Sequence, residues 1–252
     1  MSAPLPHWPY PRWIAHRGAG RLAPENTLAA FRLGAAYGWR MFECDVKLSS
    51  DGVLVLLHDA TLERTTSGHG LAGAQPWRDL AQLDAGGWHS RQFAGEPLPT
   101  LANVARWCIA NGYHLNIEIK PTPGTEPETG RAVAQLAAQL WQGQAVAPLL
   151  TSFQAAALAA AREAAPLLPR GLLVDKLAEG DADMQTALQL ACQAMVLNHG
   201  LWDAALVAQV HGHGMRCLSY TVNDAWAAER LIALGTDGII TDRVDLFSPA
   251  AG

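Results

Sequence analysis

Three short segments carry ionisable residues at spacings that chemistry uses. Ile14-Ala15-His16-Arg17-Gly18 and Phe42-Glu43-Cys44-Asp45-Val46 each read as a strand that ends in charged groups. Side chains two apart on a strand share a face, so Glu43 and Asp45 point one way and Cys44 the other. Leu115-Asn116-Ile117-Glu118-Ile119-Lys120 repeats the design, with Glu118 and Lys120 on one face. Adjacent carboxylates repel unless a positive charge lies between them, and an unpaired carboxylate is costly to bury in a central strand. Three that converge suit a hard divalent cation, Mg²⁺ or Ca²⁺, with Mn²⁺ also compatible. His16, and His58 at the end of Val53-Leu54-Val55-Leu56-Leu57-His58-Asp59, then supply an acid and a base around that ion.

The elements that must position these groups alternate. Apolar strand-like runs fall at 13–16, 41–46, 114–119, 148–152, 171–174, 194–198, 215–221 and 238–241. Alanine-rich helical stretches lie between them at 26–38, 100–111, 127–142, 154–164, 182–192, 203–213 and 224–234. Strands interleaved with helices imply parallel pairing and right-handed crossovers. The fold class is therefore α/β, a TIM-type (β/α)8 barrel, for which about 250 residues is the usual length; the chain has 252. A doubly wound sheet is the alternative, but His16-Arg17-Gly18-Ala19-Gly20 is not its glycine-rich phosphate fingerprint. Asn26 and Asn223-Asp224 read as helix N-caps and Gly235 as a helix stop. Asp51-Gly52 reads as a tight turn that folds 53–57 back on 41–46. Residues 59–99 break the rhythm and read as a small insertion after the second strand, over the barrel mouth, within one domain spanning 1–252.

Barrel enzymes place their chemistry at the C-terminal ends of the strands. This parse puts His16, Arg17, Glu43, Asp45, Glu118, Lys120, Ser152, Asp175, Lys176, Asn198, Tyr220, Thr221 and Asp242 at that rim. Arg17 and Lys120 have a plainer reading as ion-pair partners of the carboxylates, and Glu25 and Asn26 as turn and cap residues. His69 and His89 lie in the insertion and read as surface or structural residues. His211-Gly212-His213 resembles a metal motif but falls at the opposite rim, and His199 has no visible partner.

Bulk properties exclude other classes. A net charge of −5 with no basic run argues against nucleic acid. Four widely spaced cysteines, Cys44, Cys108, Cys192 and Cys217, suit reduced thiols rather than a disulfide framework. The first 13 residues lack the apolar core of a signal peptide, and no apolar stretch reaches the ~18 residues of a membrane span.

The motifs taken together resemble the glycerophosphodiester phosphodiesterases: His16-Arg17-Gly18, Pro24-Glu25-Asn26-Thr27, Glu43-x-Asp45-Val46, His58-Asp59, Leu62-x-Arg64-Thr65-Thr66, Glu118-x-Lys120 and Gly238-Ile239-Ile240-Thr241-Asp242. The likeness runs from about Ile14 to Asp242. It implies a divalent metal, Mg²⁺ or Ca²⁺, on Glu43, Asp45 and Glu118, His16 and His58 as the acid/base pair, and Arg17 and Lys120 on the substrate phosphate. It also implies a soluble glycerophosphodiester substrate, a bacterial cytoplasmic location and no membrane insertion. Phe153 and Tyr220 are candidates for the substrate pocket; relatives often carry Trp where this chain has Tyr220. The reading leans to His16 as base and His58 as acid. A phosphatidylinositol-phospholipase-like diesterase giving a cyclic phosphate is the rival enzyme reading. An amidohydrolase would need His-x-His at the first strand. A barrel that only binds glycerophosphodiesters would lack the acid/base positions present here.

Overall fold

Alternation along one strand explains how the barrel is built. In β2 (Met41–Leu48), Phe42, Cys44 and Val46 face outward into the large core between sheet and helices, while Met41 packs inside the barrel. Glu43, Asp45 and Lys47 follow Met41 on the inward face, so this strand changes from apolar to ionic toward its C-terminal end. The computed structural model describes Leu5 and residues 7–249.

β1 (Trp13–Ala15), β2, β4 (His114–Ile119), β5 (Leu149–Ser152), β6 (Arg170–Val174), β7 (Ala194–Asn198), β8 (Arg216–Tyr220) and β9 (Gly238–Thr241) pair in parallel. β1 closes the ring by pairing with β9, Trp13 opposite Ile239, and with β2. β3 (Leu54–Leu56) lies outside the ring, antiparallel to β2 with Lys47 opposite Val55. The fold is a TIM-type (β/α)8 barrel with one extra strand.

Around it run α1 (Leu28–Ala36), α3 (Leu101–Asn111), α4 (Glu126–Leu140), α5 (Ala155–Ala164), α6 (Ala182–Gln189), α7 (Ala204–Gly212) and α8 (Ala225–Leu234). Their ends follow local chemistry. Thr100, Asp203 and Asp224 accept from backbone N–H groups in the first turns of α3, α7 and α8, and Gly112 and Gly235 end α3 and α8 in left-handed conformations. One expected cap is corrected. Thr27, not Asn26, caps α1, its hydroxyl accepting from Ala30 N–H at 3.2 Å; Asn26 has φ +59° and turns its amide to β2 instead.

Inside the barrel, Ile14, Met41, Leu149, Leu173, Val196, Leu218 and Ile240 form an apolar plug. Residues 59–99 contain the short helix α2 (Trp77–Leu80). They build a small core of their own from Leu62, Ala72, Leu80, Ala85 and Leu98, joined by Val55 and Leu57. This segment meets the β1–α1 side of the barrel: Ala29 N–H donates to Glu96 at 2.9 Å, and His89 Nε2 lies 3.0 Å from the Arg21 carbonyl.

Candidate active site

β2 and β4 are in register so that Asp45 lies opposite Glu118 and Glu43 opposite Asn116. Glu43, Asp45 and Glu118 are all buried, and one oxygen from each lies within 4.8 Å of the others. Asp45 Oδ2 accepts from the Asn26 amide at 2.9 Å, and Arg17 Nε stands 3.2 Å from it. Glu43 Oε2 accepts from Arg17 N–H at 3.0 Å. Glu118 Oε1 accepts from Lys120 Nζ at 2.8 Å. Two oxygens, Glu43 Oε1 and Asp45 Oδ1, are buried and accept no hydrogen bond. Orphaned buried carboxylate oxygens beside a third carboxylate are the donor set of a hard divalent cation, and these residues fit one.

The charges split the three acids. Burial, then Asp45, pushes Glu43 up to about 8. Burial and Asp45 also raise Glu118, against the pull of Lys120. For Asp45, burial is outweighed by Arg17 and Lys120, which hold it well below the usual carboxylate range. One charge is thus compensated by protein cations, and the other two stand at a cost that a cation would relieve.

Both histidines are oriented the same way. His16 Nδ1 lies 2.6 Å from Asp242 Oδ1, and His58 Nδ1 lies 2.6 Å from Asp59 Oδ1. A carboxylate accepts from Nδ1–H, so each ring is left with Nε2 for other partners; His16 Nε2 is 3.8 Å from Glu43. Their environments act oppositely. Burial would lower His16, but Asp242 and Glu43 outweigh it and raise it. At His58 burial prevails over Asp45 and lowers it.

The backbone around His16 is strained. Arg17 has φ +53°, a conformation rare for residues other than glycine, while Asn26, at φ +59°, is of the type that tolerates it best. α1 sits directly on this loop: a Cβ on Gly34 would meet the Gly18 carbonyl oxygen at 2.2 Å.

His16 and Arg17 follow β1, Glu43 and Asp45 lie on β2, Glu118 and Lys120 lie at the end of β4, Phe153 follows β5, Tyr220 ends β8, and His58 follows the antiparallel β3. Phe153 and Tyr220 meet edge-on with ring centres 5.7 Å apart, and Lys120 Nζ lies 5.5 Å from the Phe153 ring. A cleft of about 280 Å³ includes Glu118, Lys120, Ser152 and Phe153. Another of about 440 Å³ includes His16, Arg17, Glu25, Arg64 and Trp88. Three participants were missed. Asn26 holds Asp45 from both sides, also accepting from its N–H at 3.1 Å. Arg64 reaches both Asp59 and Glu25. Lys47 is buried and donates to the carbonyls of His58 at 3.1 Å and Lys120 at 3.3 Å; its place two residues after Asp45, on the same strand face, was the available signal. His211, at the opposite rim, pairs with Asp237 at 2.8 Å, and Asp237 is also held by Arg216 and Cys217 N–H. With both Asp237 oxygens taken, that group is a structural bracket.

The sequence profile of the glycerophosphoryl diester phosphodiesterase family matches residues 16–246. A glycerophosphodiester phosphodiesterase of Caldanaerobacter subterraneus subsp. tengcongensis is 33% identical over 237 residues, 91% of this chain and 93% of that protein. The structure of an Oleispira antarctica phosphodiesterase in complex with the product sn-glycerol-3-phosphate superposes with a TM-score of 0.88 at 33% identity, covering 96% of this chain and 97% of that one. A glycerophosphodiester phosphodiesterase from Agrobacterium tumefaciens superposes with a TM-score of 0.77 at 30% identity, covering 95% and 99%.

Proposed function

Since the chain belongs to the glycerophosphoryl diester phosphodiesterase family, we propose that this enzyme hydrolyses soluble glycerophosphodiesters, such as glycerophosphocholine and glycerophosphoethanolamine, to sn-glycerol 3-phosphate and an alcohol. The observation that carries the proposal is the pair of histidines, each fixed through Nδ1 by a carboxylate, beside three buried acids. Glu43, Asp45 and Glu118 would hold Mg²⁺ or Ca²⁺, which when bound offsets charge on the phosphoryl oxygens and makes the attacking hydroxyl or water more acidic.

The protein's own groups do the rest. Arg17 and Lys120 contact the phosphate, Arg17 as a planar donor and Lys120 as a point charge. One histidine takes the proton of the nucleophile, and the other protonates the departing oxygen. The nucleophile is water, or the glycerol 2-hydroxyl in a first step that yields a cyclic phosphate for water to open. Before a cation is bound, Asp242 and Glu43 favour the protonated form of His16, while burial favours the neutral form of His58. A cation on Glu43 would weaken one of the two attractions that raise His16, and a leaving group that needs no proton tells the two roles apart. Phe153 and Tyr220 wall the substrate pocket.

We place the enzyme in the cytoplasm. The four cysteines are unpaired and buried, as reduced thiols are in that compartment, and among the described residues no helix is long and apolar enough to cross a membrane. The test of function is release of sn-glycerol 3-phosphate from glycerophosphocholine by metal-stripped protein, before and after adding Mg²⁺ or Ca²⁺. Release restored by one ion supports the proposal. A folded sample that releases nothing with any ion refutes it, and micellar phosphatidylinositol is then the substrate to try.

A further inference from the structure

We propose that Arg64, in the insertion, is a positioning residue that sets His58 and Arg17 together by bracing the two carboxylates that hold them. The inference rests on the reading of His58 as an acid/base group and Arg17 as a phosphate donor.

The guanidinium uses all three nitrogens. Nε donates to Asp59 Oδ2 at 2.6 Å and Nη2 to Asp59 Oδ1 at 3.0 Å. Nη1 donates to Glu25 Oε2 and Nη2 to Glu25 Oε1, both at 2.8 Å. Two carboxylates are therefore gripped in two forks that share one nitrogen, a geometry only arginine supplies. Each carboxylate is also committed elsewhere. Asp59 Oδ1 holds His58 Nδ1 at 2.6 Å, and Glu25 Oε1 accepts from Arg17 Nη1 at 2.7 Å. A continuous chain runs His58–Asp59–Arg64–Glu25–Arg17 and ends at Asp45.

Arg64 is the outermost link. The Arg64 side chain is 45% exposed, against 13% for Glu25 and 17% for Arg17. Bidentate, networked pairs of this kind also add to stability, so the fold of each variant is checked by circular dichroism. Without Arg64, Asp59 keeps a single side-chain partner and is free to swing with His58. Glu25 likewise loses the fork that aims it at Arg17. One exposed residue thereby ties the proton-transfer group to the phosphate-binding group, and it lies in a segment outside the β/α repeat.

The test compares wild type, Arg64→Gln and Arg64→Lys as metal-loaded enzyme, with release of sn-glycerol 3-phosphate as the readout. Arg64→Gln is expected to lower kcat roughly 10- to 100-fold, the usual effect of removing an outer partner of an active-site ligand, and to raise KM through Arg17. Arg64→Lys, which cannot form both forks, recovers only part of either. Asp59→Asn and Glu25→Gln added to Arg64→Gln are expected to cost far less than each costs alone, because the path is already cut. A second readout needs no substrate: in histidine-labelled protein the hydrogen-bonded Nδ1–H resonance of His58 broadens or vanishes in Arg64→Gln, while that of His16 persists. Arg64→Gln within twofold of wild type, additive double variants, or an unchanged His58 resonance would each overturn the brace. If Arg64→Gln does not fold, Arg64→Lys decides by the same criteria. Wild-type protein inactive on every glycerophosphodiester would instead refute the functional reading, and the His58 resonance would still decide for or against the brace.

Discussion

Replacing Glu43 by Gln in metal-free protein tests the electrostatics of the site before any substrate is involved. Burial and Asp45 lift the Glu43 carboxyl from 4.5 to about 8. Below 4.5 the folded and unfolded chains both carry this proton, and Glu43 costs nothing. Between 4.5 and 8 the unfolded chain ionises while the folded one holds its proton, so stability falls as pH rises through that window and levels off above it. A shift of this size corresponds to roughly 5 kcal/mol over the whole window, of which on the order of 3 kcal/mol is lost by pH 7. Gln cannot ionise, and its side-chain oxygen can still accept from Arg17 N–H. In chelator, Glu43→Gln should therefore match wild type near pH 4.5 and exceed it increasingly toward pH 8. A divalent cation reverses the order. At 100 times its Kd it stabilises wild type by about 2.7 kcal/mol, a rise of roughly 5 to 10 °C in Tm for a chain this long, and the variant gains much less. Thermal melts from pH 4.5 to 8.5, with chelator and with Mg²⁺ or Ca²⁺, measure both effects. A variant that tracks wild type at every pH in chelator would refute the crowding of the carboxylates. An equal gain on adding metal would remove Glu43 from the ligand set.

His16→Ala and His58→Ala should each lower turnover by roughly 10²- to 10⁴-fold with unchanged circular dichroism; near-normal activity in either removes that residue from the acid/base pair. With a nitrophenyl glycerophosphodiester, whose leaving group needs no proton, one of the two variants and not both should recover, and that one identifies the acid. Asn26→Gly keeps the positive φ but strips both hydrogen bonds from Asp45, and calorimetric metal affinity should fall roughly 10- to 100-fold; unchanged affinity would mean Asn26 does not orient the ligand. Gly34→Ala forces a methyl group against the Gly18 carbonyl and should cost about 1 to 3 kcal/mol in denaturant melts, with activity lost alongside as the His16–Arg17 loop shifts.

Period-two and helical patterns made the barrel legible because its strands are short and each is flanked by apolar or alanine-rich helices. Glu43, Asp45, Glu118 and the two histidines were legible for the same reason: a strand fixes which side chains share a face, and β/α order fixes which end is the rim. What escaped was set by tertiary contact. Asn26 looks like a cap because it precedes a helix, yet Thr27 fills that role and a positive φ turns Asn26 to β2. Arg64 sits in a stretch with no period, and nothing local tells that its partners are Asp59 and a glutamate 39 residues earlier. The Asp242 carboxylate was placed at the rim, but its grip on His16 depends on ring closure between β1 and β9.

That closure also has a consequence in time. His16 and the aspartate that orients it are 226 residues apart in the chain. At a synthesis rate of ~5–20 residues per second, roughly 10 to 45 s pass between the making of one and the other. Late in that interval the nascent protein carries Glu43, Asp45, Glu118 and His58 but still lacks the carboxylate that pairs with His16 Nδ1. On the proposed role of His16, activity is expected only once the last strand has been made and has docked beside the first. A ribosome-tethered chain arrested before Asp242 should be catalytically silent, so turnover would report completion of the barrel.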